Sequence, residues 1–202
     1  MSKKLKVGID LDGTLCNTPE MIEKGVLEKG YKCHNETYFI SIHGINDSKD
    51  IILEIIDDLF YNKMDSIVPY DEHIHVTMKE LSIVADISII TARREEFMDV
   101  TQTWLDKYIP DTKVDLIHVR SSKKPQFIKD NGYCCLVEDR LRTANQVARM
   151  GIKAYLINKR WNMNRRTDKN IIRISDLSTF HSLLVSSPYE KKENPNKSLL
   201  GI

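Results

Sequence analysis

The sequence LKVGIDLDGT, residues 5–14, decides the fold class of this chain. Residues 4–10 form a short apolar run that closes on the acidic residues Asp10 and Asp12 and then on Gly13. A continuous apolar run that meets a turn in this way is typical of a strand buried on both faces. The stretch therefore predicts the first strand of a covered sheet, with two carboxylates at its carboxyl end.

Helical and strand patterns alternate regularly after Pro69. The predicted strands lie at 87–90, 114–119, 133–137 and 153–157, with a last short one at 171–174. The predicted helices lie at 74–85, 97–109, 124–131 and 141–148, with a closing one at 176–185. Strands alternating with helices at this spacing require right-handed crossovers and a mostly parallel sheet with helices on both faces. The fold class is therefore α/β.

An insertion with helical periodicity separates the first strand from the second. Its first helix is predicted at 19–29, with Thr18 as the N-cap, and its second around 52–60. The second helix follows three residues of capping type, Asn46, Asp47 and Ser48. The stretch between the two helices, residues 31–45, is irregular and aromatic.

These patterns divide the chain into three parts. We expect a core domain of residues 1–15 and 71–185, and a helical insertion of residues 16–70. Residues 186–202 contain two prolines and mostly polar or charged side chains, which predicts a flexible C-terminal tail.

Composition limits the partners and the compartment. Thirty Lys plus Arg against 29 Asp plus Glu leave a net charge of +1, so no overall field favours duplex nucleic acid or an anionic membrane. No apolar stretch approaches the ~20 residues that span a bilayer, and the start of the chain lacks the apolar core of a signal peptide. We expect a cytoplasmic protein with no membrane partner.

Polar side chains suited to phosphate chemistry follow four of the predicted strands. In a parallel sheet the active crevice lies outside the carboxyl ends of the strands, where these side chains meet. They are Asp10, Asp12, Thr91, Lys123 or Lys124, Glu138 and Asp139. Oxygen-only ligands such as Asp10 and Asp139 suit Mg²⁺, which is usually completed by waters and a substrate phosphate.

The same residue types can carry a phosphoryl transfer. A carboxylate such as Asp10 can attack phosphorus, and Asp12, beside the turn at Gly13, can hold and exchange a proton. A lysine ammonium and the Thr91 hydroxyl would then stabilise the charged equatorial oxygens. Arg93, which directly follows the Thr91 corner, is a further candidate for phosphate binding.

With these residues in place, the chain resembles the haloacid dehalogenase superfamily of phosphohydrolases over roughly residues 4–160. Residues 10–14, DLDGT, match its first motif; the second, third and fourth correspond to Thr91, Lys124 and Glu138-Asp139. The resemblance implies a Rossmann-like core, an inserted cap and the phosphatase branch, because superfamily ATPases have threonine at position 12 and the dehalogenases neither retain this aspartate nor need Mg²⁺.

The resemblance also implies a role for each residue. Asp10 would be the nucleophile and a Mg²⁺ ligand, Asp12 the acid/base with its backbone carbonyl on the metal, and Asp139 the remaining ligand. Glu138 would support these ligands without binding the metal. Thr91 and Lys124 complete the catalytic set, and Thr14 and Arg93 are the candidate substrate-binding residues.

Flanking motifs narrow the resemblance further. Residues 90–93, ITAR, residues 137–140, VEDR, and Trp161-Asn162 are similar to the cytosolic 5'(3')-deoxyribonucleotidase-like group. The spacing from Lys124 to Glu138 resembles that in the bacterial nucleotidase-like members. The leading interpretation is a Mg²⁺-dependent 5'-nucleotidase whose substrate is a small phosphorylated molecule, a (deoxy)ribonucleoside monophosphate.

Several alternatives stay open at this point. The basic stretch 159–166 fits a 3'-phosphatase acting on nucleic-acid ends, although the net charge of +1 disfavours a polyanion. A non-catalytic phosphate-binding protein is the third reading. The aromatic residues of the insertion either stack on a base or form its own core; they are Tyr31, Tyr38, Phe39 and His43.

Overall fold

A six-stranded parallel sheet is the centre of the computed structural model, which describes residues 4–34, 41–42 and 49–186. The strands of this sheet are β1 (Leu5–Ile9), β4 (Ala85–Thr91), β5 (Val114–His118), β6 (Cys135–Glu138), β7 (Lys153–Ile157) and β8 (Ile171–Ile174). Their order across the sheet is β5-β4-β1-β6-β7-β8, and every neighbouring pair is parallel. The predicted α/β class is confirmed, and β1 lies near the middle of the sheet.

Seven helices accompany the sheet in the described part of the chain. They are α1 (Thr18–Glu28), α2 (Lys49–Asn62), α3 (Ile74–Val84), α4 (Met98–Tyr108), α5 (Lys124–Asp130), α6 (Leu141–Arg149) and α7 (Leu177–Ser186). Two single 3-10 turns, Met64–Ser66 and Glu95–Phe97, precede α3 and α4. No helix in the described ranges is both long and apolar enough to cross a membrane.

Apolar side chains cover both faces of the sheet. In β6, Cys135 and Val137 belong to one buried cluster, whereas Leu136 between them belongs to the other. This alternation is expected of a strand whose successive side chains point to opposite faces. Gly8 of β1 has no room for a side chain, because an added Cβ would lie 2.9 Å from a methyl carbon of Ile128 on α5. Helices therefore pack closely on a sheet that is buried on both sides.

The insertion is built on the packing of α1 against α2. Val26 and Ile55 form its buried apolar centre, and Tyr31 packs against them. Its chain also forms a two-stranded antiparallel pair, β2 (Cys33–His34) with β3 (Ser41–Ile42). The interpretation of residues 31–45 as irregular was therefore wrong in part, because two-residue strands are too short to show alternation.

The start of α1 also differs from the prediction. Asn17, not Thr18, is the N-cap, and its side chain makes no capping hydrogen bond. Its Oδ1 instead accepts a hydrogen bond of 2.8 Å from the Val68 backbone N–H. The proposed caps of α2 and the predicted flexible tail, apart from Ser186, lie outside the described residues.

Two neighbouring segments join the insertion to the core. Asn17 N–H donates to the Val68 carbonyl at 3.1 Å, and Tyr70 N–H donates to the Leu15 carbonyl at 3.0 Å. A bridge between Cys16 and Pro69 lies between these bonds. We call this paired connection, residues 15–17 and 68–70, the hinge. The bounds of core and insertion inferred from sequence stay a prediction.

Candidate active site

The predicted site residues converge at the carboxyl edge of the central strands. Asp10 directly follows β1, Thr91 ends β4, and Glu138 ends β6, with Asp139 next to it. Lys124 begins α5 and reaches the same edge. Parallel neighbours deliver their ends to one side of a sheet, which is the physical reason for the convergence.

Three buried carboxylates form a cluster at this edge. Asp10, Glu138 and Asp139 each place one oxygen within 4.8 Å of the others, and they are 4%, 0% and 0% exposed. We call these three residues the carboxylate cluster. The Thr14 hydroxyl lies between two of its members, 3.4 Å from Asp10 Oδ2 and 3.5 Å from Asp139 Oδ1. Thr14 therefore lies beside the carboxylate cluster, and its substrate-binding role stays a prediction.

Lys124 is the cation of the carboxylate cluster. Its Nζ lies 2.5 Å from Asp10 Oδ1 and 3.3 Å from Glu138 Oε2, and the residue is 3% exposed. Lys123 is exposed to solvent. The structure therefore places Lys124, of the two candidate lysines, beside the predicted nucleophile.

Asp139 is held by residues more than twenty positions along the chain. Trp161 Nε1 donates to its Oδ2 at 3.0 Å, and Asn162 Nδ2 donates to its backbone carbonyl at 2.8 Å. Gly13 approaches from the other side with a φ of +84°, and an added Cβ would lie 2.3 Å from Asp139 Oδ2. The glycine of the first motif is thus required both by its left-handed backbone and by the space that Asp139 occupies.

Excess negative charge gives the carboxylate cluster its electrostatic character. Burial, reinforced by Glu138, raises the pKa of Asp10 to about 7, although Lys124 partly offsets the effect. Burial and the neighbouring Glu138 also raise the pKa of Asp139 well above its usual value. Three carboxylates facing one ammonium leave a buried charge of −2 when all are ionised, and oxygen donors with this charge fit a divalent cation such as Mg²⁺.

Asp12 lies in a different environment, although it is only two residues from Asp10. Arg93 Nε donates to both carboxylate oxygens at 3.0 Å, and Arg93 Nη2 donates to Oδ1 at 2.7 Å. The Thr18 hydroxyl donates to Oδ1 at 2.5 Å. Burial alone would raise the pKa of Asp12, but Arg93 and these hydrogen bonds together hold it below its usual value.

Arg93 lies in a different place from the one expected of a substrate-binding residue. Its side chain is only 1% exposed, and Nη1 donates to the Thr101 hydroxyl at 3.0 Å. The guanidinium carbon lies 4.5 Å from the ring centroid of Phe60, on α2 of the insertion. Its backbone N–H donates to the Thr91 hydroxyl at 3.1 Å. The donors of Arg93 are therefore directed to Asp12 and to the protein, and its expected contact with a substrate phosphate stays a prediction.

A further group of polar residues borders the site at the hinge. The Tyr70 hydroxyl donates to Glu20 Oε2, on α1, at 2.6 Å. Lys159 Nζ lies 2.8 Å from the Tyr70 ring centroid. Burial lowers the pKa of Lys159 to about 8, while Glu20 and Asp139 act in the opposite direction. We call these three residues, Glu20, Tyr70 and Lys159, the hinge cluster.

Sequence reasoning missed several members of the site. Thr18 carries a signal only in its residue type, and Asn162 carries one in the Trp161-Asn162 motif. Nothing in the sequence pairs Thr18 with Asp12 or Asn162 with Asp139. Trp161 packs at the site, where its indole N–H donates to Asp139, and it is 6% exposed. Of the aromatic candidates in the insertion, Tyr31 joins the apolar centre, and Tyr38, Phe39 and His43 lie outside the described residues.

Comparison with known proteins identifies the fold. No protein-family model matches the chain, and no curated protein sequence matches it. Solved structures do: a haloacid dehalogenase-like family hydrolase from Xanthomonas campestris has 12% identity and a TM-score of 0.58, covering 91% of this chain and 96% of its own. A haloacid dehalogenase-like hydrolase from Bacteroides fragilis has 16% identity and a TM-score of 0.61, covering 88% and 100%.

A third similar structure holds ligands. It is a HAD family hydrolase from Deinococcus radiodurans R1 with bound phosphate and sodium, at 13% identity and a TM-score of 0.51, covering 75% of this chain and 80% of its own. At these identities the likeness establishes a shared fold. The chain thus has the fold of haloacid dehalogenase-like hydrolases, as its first motif predicts.

Proposed function

We propose that the chain is a Mg²⁺-dependent phosphomonoesterase that forms an aspartyl-phosphate on Asp10 and acts on nucleoside monophosphates. One observation carries this proposal. The Asp10 carboxylate contacts the Lys124 ammonium and has an oxygen within 4.8 Å of one of Asp139, while Asp12, two residues on, is held in a separate ion pair. A nucleophile, an oxygen-donor cation site and a proton-exchanging group are thereby combined at one edge of the sheet.

The residues present fit a magnesium ion. Asp10 and Asp139 would hold it through their side chains and Asp12 through its backbone carbonyl, and the buried charge of −2 in the carboxylate cluster supports this fit. Glu138 accepts hydrogen bonds from Lys124 and from the Arg140 backbone, so its oxygens are already engaged. When bound, the ion supplies Lewis-acid polarisation of a phosphoryl oxygen.

In the first step an Asp10 oxygen attacks phosphorus and the phosphorus–oxygen bond to the leaving group breaks. Asp12, ionised in the free protein, would take up a proton as the anionic phosphate enters beside it and give that proton to the departing oxygen, so the leaving group departs as a neutral alcohol. Lys124, fixed against Asp10 and Glu138, and the Thr91 hydroxyl would stabilise the equatorial oxygens as charge develops.

In the second step water attacks the phosphorus of the aspartyl-phosphate and Asp10 is released. Asp12 takes the proton from this water, which returns it to the protonated form. The Arg93 guanidinium stabilises the ionised Asp12 that exists between the two steps. Arg93 would thus position and stabilise the acid/base without touching the substrate.

Two further observations support the proposal. The structure from Deinococcus radiodurans R1 binds phosphate within the same fold. The preference for nucleotides is supported by the motifs at residues 90–93 and 137–140, of which Thr91, Arg93, Glu138 and Asp139 line the site. Arg165 and Arg166 are exposed to solvent. Because an exposed basic surface favours a polyanion, a nucleic-acid end is included as a comparison substrate.

Phosphate release from a substrate panel tests the proposal. The panel contains ribo- and deoxyribonucleoside 5'- and 3'-monophosphates, sugar phosphates and a 3'-phosphorylated oligonucleotide, each with Mg²⁺ and with EDTA. We expect Mg²⁺-dependent release with a preference for mononucleotides. A preference for the oligonucleotide, with an affinity that falls steeply with salt and with charge reversal at Arg165 and Arg166, would replace the nucleotidase proposal. Release that is unaffected by EDTA would contradict the metal dependence.

A further inference from the structure

We propose that Lys159 binds a second anionic group of the substrate, carried by the part that leaves with the ester oxygen. This inference rests on the proposed phosphomonoesterase function and adds a substrate class to it. The class is a phosphomonoester with a further phosphate or carboxylate in its leaving group. The argument depends on the position of the hinge cluster and on the charges around it.

Lys159 is fixed to the same structure that holds Asp139. Its backbone N–H donates to Asn162 Oδ1 at 3.2 Å, and Asn162 Nδ2 donates to the Asp139 carbonyl at 2.8 Å. Lys159 follows the end of β7 at Ile157, on the same edge of the sheet as the carboxylate cluster. The Lys159 backbone is therefore fixed beside the site.

The Lys159 side chain extends from the core toward the hinge. It lies over Tyr70, whose hydroxyl is bonded to Glu20 on α1, the first helix of the insertion. Since α1 follows the first motif directly, this position borders the space where a leaving group would meet the insertion. The tyrosine ring supplies a cation–π surface that holds the ammonium in place.

Lys159 differs in its charge pairing from the other cations around this edge. Three of these cations bind a carboxylate: Lys124 binds Asp10 and Glu138, Arg93 binds Asp12, and Arg160 binds Glu23. Lys159, which is half-buried, makes neither a hydrogen bond through its ammonium nor an ion pair with any residue in the described ranges. An ammonium with this environment is suited to an incoming anion, because part of its hydration has already been lost.

The second anionic group is a better fit than the transferred phosphoryl group. Lys124 already lies against the predicted nucleophile, at 2.5 Å, and serves the reacting phosphoryl. Lys159 instead contacts the hinge tyrosine and makes no hydrogen bond or ion pair with Asp10. A phosphate or a carboxylate on the leaving group has the same chemistry toward an ammonium, so both sources are included in the test.

Binding of phosphonates that cannot be hydrolysed as esters tests Lys159 without turnover. The probes are methylphosphonate, with one anionic group, phosphonoacetate, which adds a carboxylate, and methylenediphosphonate, which adds a phosphonate. Calorimetric titration at a fixed free Mg²⁺ concentration compares wild type with Lys159→Met, Lys159→Arg and the control Lys169→Met. Lys169 is exposed and lies before β8, at the amino end of that strand, whereas the site lies at the carboxyl ends. Lys169→Met therefore removes one positive charge at a position outside the site.

We expect wild type to bind at least one of the two doubly anionic probes about tenfold more tightly than methylphosphonate. Lys159→Met should lose this difference, while Lys159→Arg and Lys169→Met keep it. The stronger probe identifies the carboxylate or the phosphate as the natural source. Equal affinity of wild type for all three probes would overturn the inference, as would an equal loss for all three in Lys159→Met.

Kinetics separates failure of this inference from failure of the proposed function. Glycerol phosphate is compared with phosphoglycerate, and a nucleoside 5'-monophosphate with the 3',5'-bisphosphate. If wild type hydrolyses both members of a pair but Lys159→Met raises KM equally for both, the inference fails and the phosphatase stands. If wild type releases phosphate from none and binds no probe, both proposals fail. A rise in KM confined to the doubly anionic member supports both.

Discussion

The two aspartates of the first motif lie two residues apart and in opposite electrostatic surroundings. Asp10 belongs to the carboxylate cluster, where burial and Glu138 raise its pKa to about 7. Asp12 faces Arg93 and Thr18, which hold its pKa below the usual value. Residues two apart share one face of a regular strand, so the separation arises because the chain leaves β1 after Ile9 and turns at Gly13, whose φ is +84°.

The difference explains how one motif can supply two roles. When the surroundings of two titratable groups move their pKa values apart, the two groups can serve different roles, one as acid/base and one in another function. Around Asp10 there is excess negative charge, which a divalent cation would relieve. Around Asp12 the charges are already balanced by a buried arginine. Variants at the two positions should therefore differ in stability as well as in activity.

The largest effect is expected from Asp10→Asn. An amide cannot form the aspartyl-phosphate, so turnover should fall by about 10⁴-fold or more. The substitution also removes one negative charge from the carboxylate cluster, so the melting temperature in EDTA should not fall. Phosphate release and a thermal melt measure the two quantities. A variant with nearly wild-type activity would remove Asp10 from the mechanism.

Asp12→Asn, unlike Asp10→Asn, should lower the stability of the protein. We expect activity to fall by about 10²-fold or more, because proton transfer to the leaving group is lost. Arg93, whose side chain is 1% exposed, would lose its counter-charge, and a broken buried pair costs about 3 kcal/mol. The melting temperature in EDTA should therefore fall below that of Asp10→Asn. Equal melting temperatures for the two variants would contradict the contrast drawn between them.

Arg93→Lys tests the geometry of the Asp12 pair with the charge retained. Lysine cannot reproduce the two-oxygen contact with Asp12 and the bond to Thr101 together, and it loses the stacking on Phe60. We expect kcat to fall by about tenfold, with little change in KM, since Arg93 acts through Asp12.

The neighbouring Arg94→Lys is the matched control for this substitution. Arg94 pairs with Asp57 and Glu96 and is 40% exposed, and it does not contact Asp12 in the described structure. We expect its kcat to stay within about twofold of wild type. A rise in KM for Arg93→Lys with kcat unchanged would instead return Arg93 to the substrate-binding role inferred from the sequence.

The convergence of the site could be predicted because it follows from strand order and from the ends of parallel strands. Asp10, Thr91, Glu138 and Asp139 each mark the end of a recognisable apolar run. The partners of these residues could not be predicted in the same way. Whether Arg93 points to a phosphate or to Asp12 depends on its rotamer and on Phe60, which lies in another part of the chain.

Long-range contacts set the limit in the other elements too. Asn162 holds Asp139 from 23 positions away, through a side-chain amide whose partner no local pattern indicates. The hinge depends on pairing between residues 15–17 and 68–70, which no local pattern shows. The strands β2 and β3 have two residues each, below the length at which alternation can be detected.

The smallest expected effect concerns pH and the carboxylate cluster in the absence of metal. The raised pKa of Asp10, about 7 against an ordinary 3.8, means that the folded protein binds more protons than the unfolded chain between these values. Stability of the metal-free protein should therefore fall as the pH rises through this window. Asp12, with its lowered pKa, acts in the opposite direction but only near and below its ordinary value, outside this window.

Thermal melts in EDTA should give a lower melting temperature at about pH 8 than at about pH 5.5, and a larger gain from Mg²⁺ at the higher pH. Asp10→Asn is the control, because this change should reduce both the pH dependence and the gain. If wild type and Asp10→Asn show the same dependence, the excess charge around Asp10 is not what distinguishes it from Asp12.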